Sequence, residues 1–322
     1  MAKDEDDIQD HFIGKVYAQM IKRKHEQLNL REGLRRLGEN GKAAVKKEIK
    51  SFQDFDVLVP LFERELTERE KWEALPLMMT VKEKRDGTIK GRAMAGGHLD
   101  RGKIPADEAI SPTASTEGFY LTCAMDAFER RFVALLDVPS AYFHAKAGRV
   151  KGFIMLEGIL VDLFLQVEPS AAKKVTRDKK GRKVLYTRMN KALYGHIMSG
   201  RLFWEHLSLT LTNFGFAPNP DDLCILNKEI NRCWCTVVLH VDDIKLSHVE
   251  ERVVREVASQ LEVTYGPMEI RCDEILHYCG LTLDYSEDGC VKIGVTSSKR
   301  CTISQKMWGS RGRLQRRNTF SK

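Results

Sequence analysis

Apolar positions along the chain recur with two periods, and the switches between them mark the elements. In GKAAVKKEIKSFQDFDVLVPL (41–61), Ala44, Val45, Ile49 and Phe52 fall at helical spacing, and DVLVPL then reads as a strand. LMMTVKEKRDGTIKGRAMAGG (77–97) predicts a hairpin, with Asp86-Gly87 supplying the positive φ angles of a two-residue turn. SPTASTEGFYLTCAMDAFER (111–130) opens on helix-capping residues and continues as a half-buried helix. RFVALLDVPSAYFHA (131–145) is a strand of buried character that ends in Asp137 and turns at Pro139. In SGRLFWEHLSLTLTNFGF (199–216), Phe203, Leu207, Leu211 and Phe214 share a helical face and Gly215 supplies a stop. EERVVREVASQLEV (250–263) predicts an amphipathic helix, and ILHYCGLTLDYSEDGCVKIGV (275–295) a hairpin turning near Asp288-Gly289. Residues 1–33 are highly charged with weak periodicity and read as a mobile or helical leader. Helices and strands alternate irregularly, which favours an α+β class over a doubly wound parallel sheet.

Composition narrows the class without naming a function. The 322 residues are 43% hydrophobic and 30% charged, ordinary values for a globular protein. No apolar run approaches the ~20 residues of a membrane span. The acidic start MAKDEDDIQD is no secretory signal, so an intracellular protein, cytoplasmic or nuclear, is the expectation. The net charge is +7, but Ser297 to Lys322 holds eight Lys/Arg and no acid; subtracting those eight from +7 leaves −1 for the rest. That basic end is either a handle for nucleic acid or an unstructured tail. Basicity in the body is local: Lys82, Lys84, Arg85, Lys90 and Arg92 cluster on the arms of the first hairpin. The eight cysteines form no C-x-x-C pair and read as reduced thiols rather than a zinc site.

One stretch raises a chemical question. In CTVVLHVDDIKLSHVEERVV (235–254), a buried strand runs straight into two adjacent acids, Asp242 and Asp243. Two carboxylates about 5 Å apart repel by roughly 3 kcal/mol at an effective dielectric of 20. Either the turn is fully solvated, or a divalent cation offsets the repulsion. Asp137 is the distant third acid, also placed at the end of a strand of buried aliphatics.

With Asp137 in DVPSAYF and the pair in LHVDDIKLS, the chain resembles the copia-type LTR-retrotransposon reverse transcriptases. FDVLVPL, KRDGTIKGRAMA, SPTAS, KALYG (191–195) with LFWEHLSLTLTNFGF, DDLC (221–224) and HYCGLTLDYS (277–286) follow the same order, over roughly residues 40–295. The resemblance implies an α+β right-hand polymerase with fingers, palm and a partial thumb over 41–295. A charged leader (1–40) and a basic tail (296–322), both expected to be disordered, flank it. It implies that Asp137, Asp242 and Asp243 hold two Mg²⁺ ions, with Mn²⁺ as a possible substitute, for transfer of a dNTP onto a primer 3′-hydroxyl. It matches Tyr142 to a gate against the ribose 2′-hydroxyl and Arg92 to the fingers arginine of the incoming nucleotide. Tyr278, Cys279, Gly280 and Leu281 match the primer grip. The implied partners are dNTPs and an RNA or DNA template with primer, and no membrane. Read without the resemblance, Tyr142 is equally a core aromatic, and Arg92 part of a solvated hairpin face.

Some positions depart from the pattern. His240 stands where the family has Tyr or Phe, and Met198 where a Gln commonly seats the nucleotide. KAGRVKGFIM lacks the acids that usually follow the first motif, and the tail resembles nothing in the family. The whole reads as a fragment of a copia-type polyprotein. The alternative is a decayed, non-catalytic remnant that keeps the palm and binds nucleic acid. A template-independent palm enzyme such as a cyclase is the third reading.

Overall fold

The computed structural model describes residues 27–84, 86–100, 104–148, 150, 152–295 and 300–304. In chain order, the elements begin with strand β1 (Leu28–Asn29), helix α1 (Leu30–Asp54), β2 (Leu58–Pro60), α2 (Glu68–Glu73), β3 (Leu75–Glu83) and β4 (Ile89–Ala95). Next come α3 (Ala106–Ala109), α4 (Thr116–Phe128), β5 (Phe132–Asp137), α5 (Ala141–His144), β6 (Phe153–Glu157), α6 (Ile159–Val167), β7 (Thr176–Arg177) and β8 (Lys183–Met189). The rest are α7 (Ser199–Asn213), β9 (Ala217–Asn219), β10 (Asp222–Ile230), β11 (Cys233–His240), β12 (Asp243–His248), α8 (Glu251–Tyr265), β13 (Glu269–Arg271), β14 (Ile275–Tyr278), β15 (Leu281–Asp284), β16 (Cys290–Val295) and β17 (Arg300–Ser304). They divide into two compact units, 1–104 with 146–199 and 105–145 with 200–322. No helix among the described residues is long and apolar enough to cross a membrane.

The first unit is a seven-stranded sheet whose main path runs β1-β3-β6-β8-β2, with β4 on β3 and β7 on β8. Helix α1 begins where Asn29 caps it, accepting from the Glu32 amide at 3.0 Å, and kinks at Gly38 (φ +53°). It lays Ala44, Val45, Ile49 and Phe52, the periodic residues of the sequence, against β3, β4 and α6. The leader boundary expected at residue 40 therefore falls inside a helix: the face that buries Val45 starts a turn earlier, with Gly33 and Gly41 packed close. Residues 1–26 lie outside the described residues. The β3–β4 hairpin forms as expected, in the register Lys82↔Lys90. Its turn differs, because Lys84 and Thr88 close it (N–O 2.8 Å) and leave three residues between them, with Gly87 at φ +77°. Arg85 lies outside the described residues.

One glycine fixes how KALYG meets β4. The Ala95 amide donates to the Tyr194 carbonyl at 2.7 Å. Gly195 has φ +83°, and a Cβ there would lie 2.4 Å from the Ala95 carbonyl oxygen. Gly195→Ala is therefore expected to destabilise by about 2 kcal/mol or more, combining left-handed strain with a backbone clash. Gly181 (φ +76°), which meets nothing within 4 Å, is the control and carries the positive-φ strain alone. Urea denaturation of the two variants separates the terms; equal costs would refute the close approach.

The second unit is built on a six-stranded antiparallel sheet, β13-β5-β12-β11-β10-β9, and a smaller sheet, β14-β15-β16-β17. The strands of the large sheet carry near-continuous apolar runs because both faces are covered. On one face Val133, Leu135, Val238 and Ile225 join Phe119, Cys123 and Ala127 of α4 and Leu276, Tyr278, Leu283, Val291 and Ile293 of the small sheet in one core. Helix α8 packs against β5 and β12 and buries Val253, Val254, Val257 and Leu261. Phe203, Leu207 and Leu211 of α7 are buried as the periodicity requires, while Phe214, just past the helix end, is only half-buried. Ser115 caps α4, and Asp222 of DDLC accepts from its amide (2.8 Å) and hydroxyl (2.9 Å).

Two expectations about the C-terminal end are corrected. Residues 275–295 form three strands rather than a simple hairpin, because Cys279 (φ +49°) and Gly280 (φ +82°) make a second two-residue turn. The boundary at 295 is also crossed: Arg300–Ser304 pairs antiparallel with β16, Ile293 opposite Cys301, so backbone pairing continues into the expected tail. Residues 296–299 and 305–322 lie outside the described residues.

Candidate active site

The site is assembled by register. Strands β11 and β12 join through a two-residue turn, Val241-Asp242, closed by the pair His240↔Asp243. Strand β12 also pairs with β5, and there Asp243 stands directly opposite Asp137. Opposed residues of an antiparallel pair point to the same face with Cβ atoms about 5 Å apart, so two acids separated by more than a hundred positions become neighbours. The Val138 amide reaches the Asp242 carbonyl at 3.4 Å, which ties the turn to the chain leaving β5. On the other side of β5, Glu269 is the register partner of Asp137. A row of Glu269, Asp137, Asp243 and His240 thus runs across four strands at one end of the sheet.

The electrostatics follow from this crowding. Burial pushes the Asp243 carboxyl above the usual carboxylate range, and the charges of Asp242 and Asp137 push it further the same way. The Cys279 thiol, 3.8 Å from Asp243 Oδ2, and the nearby His240 act in the opposite direction. Burial and then the Asp243 charge push the Cys279 thiol itself up to about 12, so it stays protonated as a donor. Among the described residues no three His, Cys, Asp or Glu side chains converge closely enough to enclose a metal ion by themselves. The donor chemistry nevertheless fits a hard cation that keeps most of its sites for water and phosphate: oxygen ligands from two strand ends, mutually repelling and half-exposed. Backbone strain also collects here. Val241, a β-branched residue, sits at φ +58°.

The other expected residues fall as follows. Tyr142 lies on α5, one turn beyond Asp137, half-buried, its ring edge-on to Phe203 at 6.1 Å. Gly200 faces its hydroxyl: a Cβ there would lie 3.9 Å from the Tyr142 oxygen. The Tyr278 side chain is 4% exposed and stacks on Phe119 (5.1 Å, 11°). It anchors the turn from inside the core, and only Cys279 and Gly280 are exposed, with Leu281 half-buried. His240 lies edge-on to the same ring at 6.4 Å. Arg92 belongs to the first unit, on β4, exposed, with its guanidinium 5.2 Å from the Tyr194 ring centre. Met198 is buried, its amide donating to His196 Nδ1 at 3.2 Å. Glu269 was missed. Its strand is three residues long, and only the pairing with β5 shows where it stands.

The family model described as reverse transcriptase (RNA-dependent DNA polymerase) matches residues 70–293. No curated protein matches the chain. Among solved structures, telomerase from Candida albicans in complex with a telomeric RNA fragment is 10% identical with a TM-score of 0.44, covering 80% of this chain and 50% of that one. Apo telomerase from Candida tropicalis is 10% identical with a TM-score of 0.42, covering 76% and 50%. This chain thus spans about half the length of those structures.

Proposed function

Because the chain belongs to the copia-type family of reverse transcriptases (RNA-dependent DNA polymerases), we propose that it extends a primer 3′-end with dNTPs on an RNA or DNA template, at the row of acids that joins β5 to the β11–β12 turn. The single observation that carries this reading is the register pair Asp137↔Asp243. It brings together the acids of two motifs that nothing in the linear sequence connects. In this reading Asp137, Asp242 and Asp243 hold two Mg²⁺ ions. When bound, such ions polarise the phosphoryl oxygens and lower the pKa of the 3′-hydroxyl. The chain's own part is to aim the carboxylates at one point, from paired strand ends, against the burial and mutual repulsion that push the Asp243 carboxyl up. The exposed Cys279-Gly280 turn is the surface against which the primer end rests. The same reading makes this chain part of a copia-type polyprotein.

The test is primer extension on an RNA template with Mg²⁺, compared with the same reaction in chelator. No incorporation at any divalent ion concentration, with tight template–primer binding retained, would give the second reading instead: a remnant that binds but does not polymerise. The buried, apolar Met198 favours that reading, since it has no polar group to offer a nucleotide. Tyr142 supplies a further expectation. If its ring lies beneath the sugar, Tyr142→Ala raises ribonucleotide incorporation relative to dNTP on the order of tenfold or more. Unchanged discrimination would make it a core aromatic only.

A further inference from the structure

Beneath the acids lies a buried polar cluster that the proposed chemistry does not use. Lys245 and Asp126 are both fully buried and form an ion pair. Lys245 Nζ also donates to Thr122 Oγ1 at 3.2 Å. The Tyr285 hydroxyl donates to Asp126 Oδ2 at 3.4 Å, and Asp126 Oδ1 is buried without a hydrogen-bond partner. Burying two opposite charges rarely gains stability over apolar residues of the same shape, so stability alone does not account for the pair. Its placement does. Lys245 stands two residues after Asp243, on the same face of β12. Asp126 and Thr122 belong to α4. Tyr285 follows β15, the strand that leaves the Cys279-Gly280 turn, and Cys279 in turn touches Asp243. The strand that carries Asp243 and the segment that follows β15 are therefore tied to one ion pair on α4.

We propose that Lys245 and Asp126, with Tyr285, are positioning residues that set the Cys279-Gly280 turn against Asp243, and so the seat of the primer end against the acids. The proposal rests on the polymerase reading for its catalytic consequence, but its structural content stands apart. Charged partners with one geometry hold a register that interchangeable apolar contacts would let slide. A displacement of about 1 Å at the reacting atoms costs on the order of a hundredfold in rate.

The experiment uses the full chain and the double variant Asp126→Leu/Lys245→Met, which replaces the pair by apolar groups and leaves neither charge alone. It is expected to unfold at or above the parental temperature. Its kcat for primer extension is expected to fall on the order of tenfold to a hundredfold, with the KM for dNTP little changed. Alkylation of Cys279, followed by peptide mass mapping, is expected to quicken as the thiol leaves Asp243. Tyr285→Phe removes a single hydroxyl and reads the same quantities should the double variant not fold. A folded variant with parental kcat and parental Cys279 alkylation overturns the proposal, and so does a lowered kcat with unchanged alkylation. If the parental chain extends no primer, the polymerase reading fails. Cys279 reactivity needs no turnover, and it still decides whether the cluster sets the turn.

Discussion

Asp137→Asn is expected to lower primer extension by about a thousandfold or more, while the folded protein is as stable as the parent or slightly more so. The two halves have separate causes. Asparagine keeps the shape of the side chain but loses the charge that would hold a divalent ion, and such an ion supplies several kcal/mol of transition-state stabilisation. In the folded chain without cations, the same carboxylate stands opposite Asp243 and beside Glu269 in the register row. Like charges directly opposed across strands cost a few tenths of a kcal/mol to about 1 kcal/mol, and that cost is removed. The sign of the stability change distinguishes this from a structural role, in which losing Asp137 would cost both stability and activity. Thermal melting without and with Mg²⁺ checks it: the parent gains stability from the ion and the variant does not. Substantial activity in the variant would sink the acid row as the catalytic centre.

Phe203→Ala is expected to be the most damaging core substitution near the site, at about 3–5 kcal/mol in urea denaturation. Phe203 is fully buried and stands between the rings of Tyr142 (6.1 Å) and Tyr265 (6.4 Å). Tyr265 is buried as well, and its hydroxyl, pushed up to about 12 by burial, donates to Thr210 at 3.0 Å. Truncating Phe203 therefore opens a cavity that joins α7, α8 and the segment after β5. Because Tyr142 leans on the vacated ring, the variant is also expected to lose part of its discrimination against ribonucleotides. A cost under about 1 kcal/mol would show that the surroundings collapse to fill the space.

What the sequence shows of the candidate site has a physical basis and a limit. An apolar run that ends in acids raises the question of what offsets their burial, but by itself a solvated turn answers it equally; only the family resemblance joined Asp137 to Asp242 and Asp243. Periodicity likewise identifies the buried face of α1 and of α7. What remained hidden depends on pairing between distant segments. Lys245 reads as an exposed charge on an alternating strand, since lysine is almost never fully buried without a partner, and its partner Asp126 lies more than a hundred residues away on α4. Glu269 has the same problem on a strand too short to show a pattern. The burial of the Tyr278 side chain was hidden for a similar reason. A β-turn at Cys279-Gly280 reverses the chain, so the tyrosine faces the core and only the turn is offered to solvent.

The left-handed valine at position 241 bears on history as well as on geometry. Were a lineage shaped by foldedness alone, glycine or asparagine would be the cheaper occupant of that backbone conformation, and drift would be expected to install one of them. A β-branched side chain held at φ +58° between His240 and Asp242 is a cost that persists only where neighbouring strands enforce it. The strands that enforce it are β11 and β12, paired from His240↔Asp243 onward, so a substitution that loosens that pairing lets the turn relax and moves Asp242 first.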